Sequence, residues 1–302
     1  MTEAVAVVGT GRMGRAHAAA WAANGVPVRW AVSPRRRAEL PDAPDARWAT
    51  RLDEALDDPA VTIVSVCTPT PSHADLAIRA LDAGRHVLLE KPIALTLEDA
   101  ERVEAAAARS TGTVMVAHVV RFFPGYAALA ERVAAGSVGR PRVVRASRIS
   151  SAPVGYDWLE DDSRSGGMLV DFAIHDFDQA AAYLGRAVAV TSVALAGTGF
   201  GVPAATTIEY EGGGVAQVLS ASDLPEGQPF RTAFEVVGDA GVDAAEPDAG
   251  DAFAAQTRYF LDCVTAGAPT TRAPVSSAVE ALRVALAARE SAVTGRRIPL
   301  PG

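Results

Sequence analysis

The chain has 302 residues, of which 49% are hydrophobic and 21% charged, and a formal net charge of -8 at pH 7. That is long enough for two domains and ordinary for a folded globular protein, which excludes extensive disorder. The negative balance, interrupted only by an arginine run at residues 35–37, excludes a nucleic-acid partner, and no apolar run approaches the roughly 18 residues of a membrane span.

From residue 4 to about 118, short valine-rich runs alternate with helical patterns. "AVAVVG" (4–9), "PVRWAV" (27–32), "VTIVSV" (61–66), "HVLLE" (86–90) and "TVMVA" (113–117) have the texture of buried parallel strands. Capping spacing at Thr50 and Asp53, Ser72 and Asp75, and Thr96 and Asp99 predicts helix starts, and Gly25 and Gly84 predict stops. Such repeated units predict an α/β fold with a doubly wound parallel sheet over residues 1–119.

Directly after the first run, "VVGTGRMGRAH" sets Gly9, Gly11 and Gly14 in G-x-G-x-x-G spacing at the opening of a helix. The first glycine permits a tight turn, the second lets backbone approach a pyrophosphate, and the third lets helix and sheet pack closely. A dinucleotide is the predicted ligand, with the helix N-terminus facing its phosphates. Where the second strand ends, an acidic residue would read an unmodified ribose; here stands Ser33, followed by arginines at 35, 36 and 37. These are donors for a 2′-phosphate, so NADP(H) is favoured, with NAD(H) the alternative. His17 in the first helix and His86 at the start of a strand read as structural.

Cys67, inside an apolar run, and Cys263 lack metal-ligand spacing and read as buried thiols of a reducing compartment. No metal site is expected. The opening "MTE" runs into a strand without a charged leader, which predicts a cytoplasmic protein. The chain's one lysine is Lys91; the other 27 strongly basic side chains are arginines. An amine can share or lose a proton and a guanidinium cannot, which singles Lys91 out for chemistry.

Past residue 120 the texture changes. "RPRVVRASRIS" and "AVAVTSVALAG" predict extended segments, and "ATTIEYEGGGVAQVLSASD" predicts a hairpin turning at Gly212 to Gly214. A helix is expected over about 170–184, another over about 275–292, and a loop over 238–253, a stretch rich in acid and poor in large apolar residues. Residues 120–302 then form an α+β domain with a mostly antiparallel open sheet, and the last helix is placed to return to the first domain. In "SGGMLVDFAIHDFD", Asp171 and His175 stand four apart, one face of a helix, where a carboxylate can fix the tautomer of an imidazole that takes up a proton. Gly166 and Gly167 before them let backbone come close to a ligand.

Taken together, "GTGRMGRAH", "CTPTPSHADLAIRALDAGRHVLLEKP", "HVVRFFP" and "SGGMLVDFAIHDFD" resemble the glucose-fructose oxidoreductase and inositol dehydrogenase family, Gfo/Idh/MocA, along nearly the whole chain. The resemblance implies a Rossmann domain followed by an open-sheet domain that often forms the interface of a homo-oligomer, a dimer or tetramer. It also implies hydride transfer between nicotinamide and a secondary alcohol or ketone of a sugar, inositol or related polyol. The family's lysine, aspartate and histidine fall on Lys91, Asp171 and His175. His175 then accepts the hydroxyl proton, Asp171 orients it or binds a neighbouring hydroxyl, and Lys91 hydrogen-bonds the reacting oxygen. Pro92 restricts the backbone of Lys91, and the family often has a cis peptide there. Thr68, Pro69 and His73 match the family's loop over the cofactor; Arg12, Met13, Arg35, Glu90 and Lys91 itself complete the expected cofactor set. His118, Arg121, Tyr126 and Trp158, with Asp171 and His175, are the expected substrate contacts. The stretch 238–253 is shorter than the strands usual in the family. Two other readings stay open: a sensor or scaffold that binds the dinucleotide without turnover, and a dehydrogenase of dihydrodiol-type substrates.

Overall fold

Valine runs bounded by glycine can bury both faces of a strand, and in a computed structural model they do. The structure describes residues 3–34, 40–151, 155, 158–195, 201–246 and 250–301. By its contacts the chain divides into two units, residues 1–123 with 250–279 and residues 124–249 with 280–302, where the sequence had suggested one break at 119/120.

The first unit runs β1 (Val5–Val8), α1 (Arg12–Ala23), β2 (Val28–Val32), β3 (Arg47–Ala49), α2 (Leu52–Leu56), β4 (Ile63–Val66), α3 (His73–Asp82), β5 (His86–Glu90), α4 (Leu97–Arg109) and β6 (Val114–Ala117). All six strands are parallel, in the order β3-β2-β1-β4-β5-β6. Only β3, three residues at the edge, was absent from the sequence reading. Thr96 caps α4 as expected, its Oγ1 accepting from the Asp99 N–H at 3.2 Å. The other two expected caps shift. At α2 the cap is Arg51, and Glu54 rather than Asp53 takes the Arg51 and Thr50 N–H groups at 3.2 Å each. Ser72 turns its hydroxyl to Thr68 Oγ1 at 2.8 Å and Pro69 O at 2.9 Å instead of capping α3, because a 3-10 turn (Thr70–Ser72) precedes that helix.

The second unit contains α5 (Pro124–Ala134), β7 (Pro141–Ser151), α6 (Asp162–Ser165), α7 (Gly167–Asp171), α8 (Ile174–Leu184), β8 (Ala187–Ala194), β9 (Ala204–Tyr210), β10 (Val215–Leu224), β11 (Arg231–Gly238) and β12 (Val242–Ala244). β9 and β10 form the hairpin predicted around Gly212 to Gly214. Two expectations are corrected. The expected loop at 238–253 carries the short edge strand β12 and the start of α9 (Ala252–Ala266), with residues 247–249 outside the described residues. The single helix expected over 170–184 is broken, because the Ala173 N–H bonds back to Met168 O at 2.9 Å and closes α7 before α8 begins.

α9 belongs to the first unit. Trp21 of α1 and Phe260 of α9 are both fully buried with ring centroids 6.3 Å apart, and Asn24 Nδ2 donates to Ala254 O and Thr257 Oγ1 at 2.9 and 2.8 Å. Burial of side chains this size is worth roughly 2–3 kcal/mol each, which fixes the return of the chain. α10 (Val275–Thr294) and β13 (Ile298–Pro299) close the chain; residues up to 279 count with the first unit and the rest with the second. The second sheet runs β12-β11-β7-β10-β9-β8-β13, antiparallel except for the parallel pair β7 and β10. Among the described residues no helix is long and apolar enough to cross a membrane.

Candidate active site

In a wholly parallel sheet the C-terminal ends of all strands share one edge, so the loops after them meet. At that edge of the first unit stand Gly9 after β1, Ser33 after β2, Thr68 and Pro69 after β4, Lys91 after β5 and His118 after β6.

The glycine turn has the division of labour that its spacing predicted. Gly9 has φ +94° and lies so close to β4 that a Cβ would stand 2.6 Å from Cys67 O. Gly14 is pressed against the turn, with a Cβ placed 1.9 Å from Gly9 O. A Cβ on Gly11 would meet nothing within 4 Å, and Gly11 is the cap residue of α1, offering no side chain to the first-turn N–H groups. Between them the buried Thr10 hydroxyl has no partner among the described residues. This open backbone face, with uncapped N–H groups and an orphaned hydroxyl, fits a pyrophosphate.

Ser33 is buried, and its N–H bonds Ala49 O at 3.0 Å. Arg35 and the two arginines after it lie outside the described residues. His73, expected over the cofactor, is buried and joins two loops of the edge: Nδ1 is 2.7 Å from Pro92 O and Nε2 2.8 Å from Thr68 O. Burial pushes its imidazole down against the pull of the two carbonyls, and a neutral ring donates to one of them. The Lys91–Pro92 peptide is cis.

Glu90, expected among the cofactor contacts, spends its carboxylate inside the unit. Oε1 stands 2.9 Å from His17 Nε2, and Oε2 accepts from the Lys91 N–H at 3.0 Å. His17 is fully buried, and its Nδ1 lies 2.7 Å from Ser65 Oγ. Burial disfavours the imidazolium, but the Cys67 sulfur and Glu90 more than offset it, so His17 is pushed up to about 10. Burial likewise opposes the charged form of Glu90, yet His17, Lys91 and His73 hold its carboxyl below the usual range. The two form a buried ion pair.

Arg121, an expected substrate contact, donates to Arg272 O at 2.6 Å, and Arg272 answers with a bond to Arg121 O at 2.5 Å. His118 is buried. An open groove of about 500 Å³, lined by Thr113, Val114, Thr270, Thr271, Pro274 and Val275, lies where β6 begins, the opposite end of the sheet from the glycine turn.

In the second unit, Asp171 is the last residue of α7 and His175 the second of α8, so the break stands between them. Gly166 and Gly167 both have positive φ, and what an added Cβ would meet is Val170 and Asp162, so the local turn already requires glycine there. Next to His175, Asp176 accepts a two-pronged ion pair from Arg148 of β7, with Nε to Oδ2 and Nη2 to Oδ1 both 2.9 Å and both side chains buried. The guanidinium carbon stands 5.7 Å from each of the Phe172 and Phe230 ring centroids. Tyr126 is buried against Phe234, rings 5.4 Å apart, with its hydroxyl towards Arg148. Trp158 is partly exposed.

Neither ion pair was read from the sequence. Val144, Ala146 and Arg148 alternate inward along β7, so the period of two already sets Arg148 on the buried face. Glu90 follows three buried apolar residues, Val87 to Leu89, and so needed a buried partner. Nothing in the sequence pointed to His17 as that partner. Among the described residues no group of three or more histidine, cysteine or acidic side chains could hold a metal ion.

Residues 4–118 match the family described as oxidoreductase family, NAD-binding Rossmann fold, and residues 126–242 match the GFO/IDH/MocA C-terminal domain. The scyllo-inositol 2-dehydrogenase (NAD(+)) of Bacillus subtilis is 32% identical over 207 residues, covering 65% of this chain and 58% of that protein. The scyllo-inositol 2-dehydrogenase (NADP(+)) of the same organism is 30% identical over 156 residues, covering 51% and 44%. The match thus spans less than two thirds of either curated relative. Among solved structures, GenD2 from gentamicin A biosynthesis, in complex with NAD, is similar with a TM-score of 0.88 and 28% identity over 99% of this chain and 97% of that one.

Proposed function

The chain belongs to the GFO/IDH/MocA oxidoreductase family, and on that premise we propose that it is a dehydrogenase moving a hydride between a nicotinamide dinucleotide and a secondary alcohol or ketone of an inositol, sugar or related polyol. The observation that carries the reading is the edge of the first sheet, where the open face of Gly11 and the loop of Lys91 follow parallel strands. The bound dinucleotide supplies the hydride acceptor or donor; the chain supplies grip, orientation and proton movement. Gly9 to Gly14, with Arg12 and Met13 in the first turn of α1, hold the pyrophosphate, and Thr68 and Pro69 cover the nicotinamide half. Lys91 donates a hydrogen bond to the reacting oxygen. His175 takes the hydroxyl proton in the direction of oxidation, and Asp171 orients it or binds a neighbouring hydroxyl.

NADP(H) is the preferred form in this proposal. Ser33 puts no carboxylate where an adenosine ribose is read, and three arginines follow it. The two curated relatives divide between the two dinucleotides, one named for each. The test is a fluorescence titration with NADPH and NADH in wild type and in Ser33→Asp. Tighter NADPH binding that reverses in the variant, by about tenfold or more on the NADPH side, is expected from a carboxylate facing a phosphate. Tighter NADH binding by wild type would leave the arginines as solvated loop residues and overturn the preference.

The expected homo-oligomer finds support in the second sheet. Val193, Ala205, Leu219, Ser147 and Ala233 are successive partners across β8, β9, β10, β7 and β11, so they line one face. Val193 and Leu219 on that face are 69% and 45% exposed, an apolar row suited to a second copy.

A further inference from the structure

Strand β5 ends in a charge, and the fold does not let that charge reach water. Glu90 is buried between His17 of α1 and the backbone of Lys91, the next residue. Its two oxygens are engaged separately, Oε1 with the imidazole and Oε2 with the Lys91 N–H. His17 is gripped from the other side by Ser65 Oγ, which also takes the Trp21 Nε1–H at 3.4 Å. Indole is a donor only and the Ser65 oxygen has room for a second donor, so His17 can donate at both ring nitrogens, as an imidazolium does. The Ser65 hydroxyl hydrogen then falls to Cys67 Sγ at 3.9 Å.

We propose that the buried His17–Glu90 pair is a positioning element for Lys91: the carboxylate fixes the backbone of the lysine, and the imidazolium balances the carboxylate so that its charge does not pin the amine as ammonium. The inference rests on the reading in which Lys91 meets the reacting oxygen, and extends it to two residues that touch neither substrate nor the reacting atoms. The charged or titratable groups facing the pair are Cys67 just after β4, His73 from α3 and Lys91 itself; from α9 the Phe253 ring lies 6.2 Å from the His17 ring. Neither Cys67 nor His73 can replace His17 as counter-charge, since a thiol carries no positive charge and burial keeps His73 towards its neutral form. Removing the imidazolium alone leaves a carboxylate that favours the lysine's ammonium form, and removing the carboxylate alone does the reverse.

Because Lys91 is the chain's one lysine, protein made with lysine labelled by ¹³C at Cε gives one lysine side-chain resonance, which reports the protonation of this amine without any substrate. The intact chain is compared with His17→Gln, Glu90→Gln and the double variant. The pH at which the resonance moves is expected to rise in His17→Gln and fall in Glu90→Gln, each by about half a pH unit or more, and to return towards wild type in the double variant, where the charges balance again. Shifts in one direction for both single variants, or none, would overturn the proposal, because a merely structural role loosens the turn equally from either side. If a single variant does not fold, the wild-type ring nitrogens decide: His17 doubly protonated near neutral pH supports the pair, and a neutral ring overturns it. Turnover of Lys91→Ala is measured beside these. Full activity there would sink the role of Lys91 itself, whereas lost activity with unmoved resonances would sink only the positioning role.

Discussion

Lys91→Ala is expected to lower polyol oxidation by about 1,000-fold while changing the dissociation constant of the dinucleotide by no more than about threefold. The asymmetry follows from where the residue sits. The backbone of Lys91 is held by Glu90 through its N–H, and that bond survives truncation of the side chain. The glycine turn lies after a different strand, two places away in the sheet. What the variant loses is the amine, so the loss should fall on the chemical step and on kcat. Lys91→Arg is expected to recover little, since a guanidinium keeps charge and donors but cannot give up a proton at working pH. Steady-state rates with saturating dinucleotide check both variants; full activity in Lys91→Ala would remove the residue from the mechanism.

Asp176→Asn is expected to cost about 3–5 kcal/mol of stability, the range for breaking a buried ion pair from one side. The variant leaves the Arg148 guanidinium enclosed by Phe172 and Phe230 without its carboxylate. Arg148→Met combined with Asp176→Leu should recover most of that loss, because two apolar side chains leave no charge to desolvate. Denaturant unfolding of the three forms measures it. A double variant as unstable as Asp176→Asn would mean that the packing of β7 and α8, and not the charge, sets the cost. If His175 has its proposed role, the consequence is positional: Asp176 is the neighbour of His175 at the start of α8, so the pair anchors the turn that carries the imidazole.

Much of this arrangement was legible in the sequence, for identifiable reasons. The five longer strands of the first sheet are apolar runs bounded by glycine or polar residues, and the glycine spacing states its own geometry, as the contacts of Gly9 and Gly14 bear out. Edge strands β3 and β12, three residues each, are too short to leave a period. Capping spacing found Thr96 but misplaced Thr50 and Ser72: at α2 Glu54 takes the backbone N–H groups, and before α3 the Ser72 hydroxyl turns back to donate to Thr68 and Pro69. The break between Asp171 and His175 left no trace because it is made by a backbone bond from Ala173 to Met168, and every residue involved is compatible with a continuous helix. The start of α9 was missed although Asp251 is an ordinary cap, accepting from Phe253 N and Ala254 N at 3.0 Å each; the acid-rich stretch before it concealed the signal. Charge pairs across 73 residues, as between His17 and Glu90, have no local signature at all.

The measurement that bears most directly on a hydride-transferring enzyme is isotope transfer. The protein is incubated with NADP⁺ or NAD⁺ and a panel of inositols and sugars carrying deuterium on their carbinol carbons, and the recovered nucleotide is weighed by mass spectrometry. Deuterium delivered directly to the reduced nucleotide from at least one polyol, and abolished in Lys91→Ala, is the expected result. A dinucleotide that binds tightly and comes back unreduced and unlabelled with every member of the panel would contradict the dehydrogenase and leave a protein that only binds.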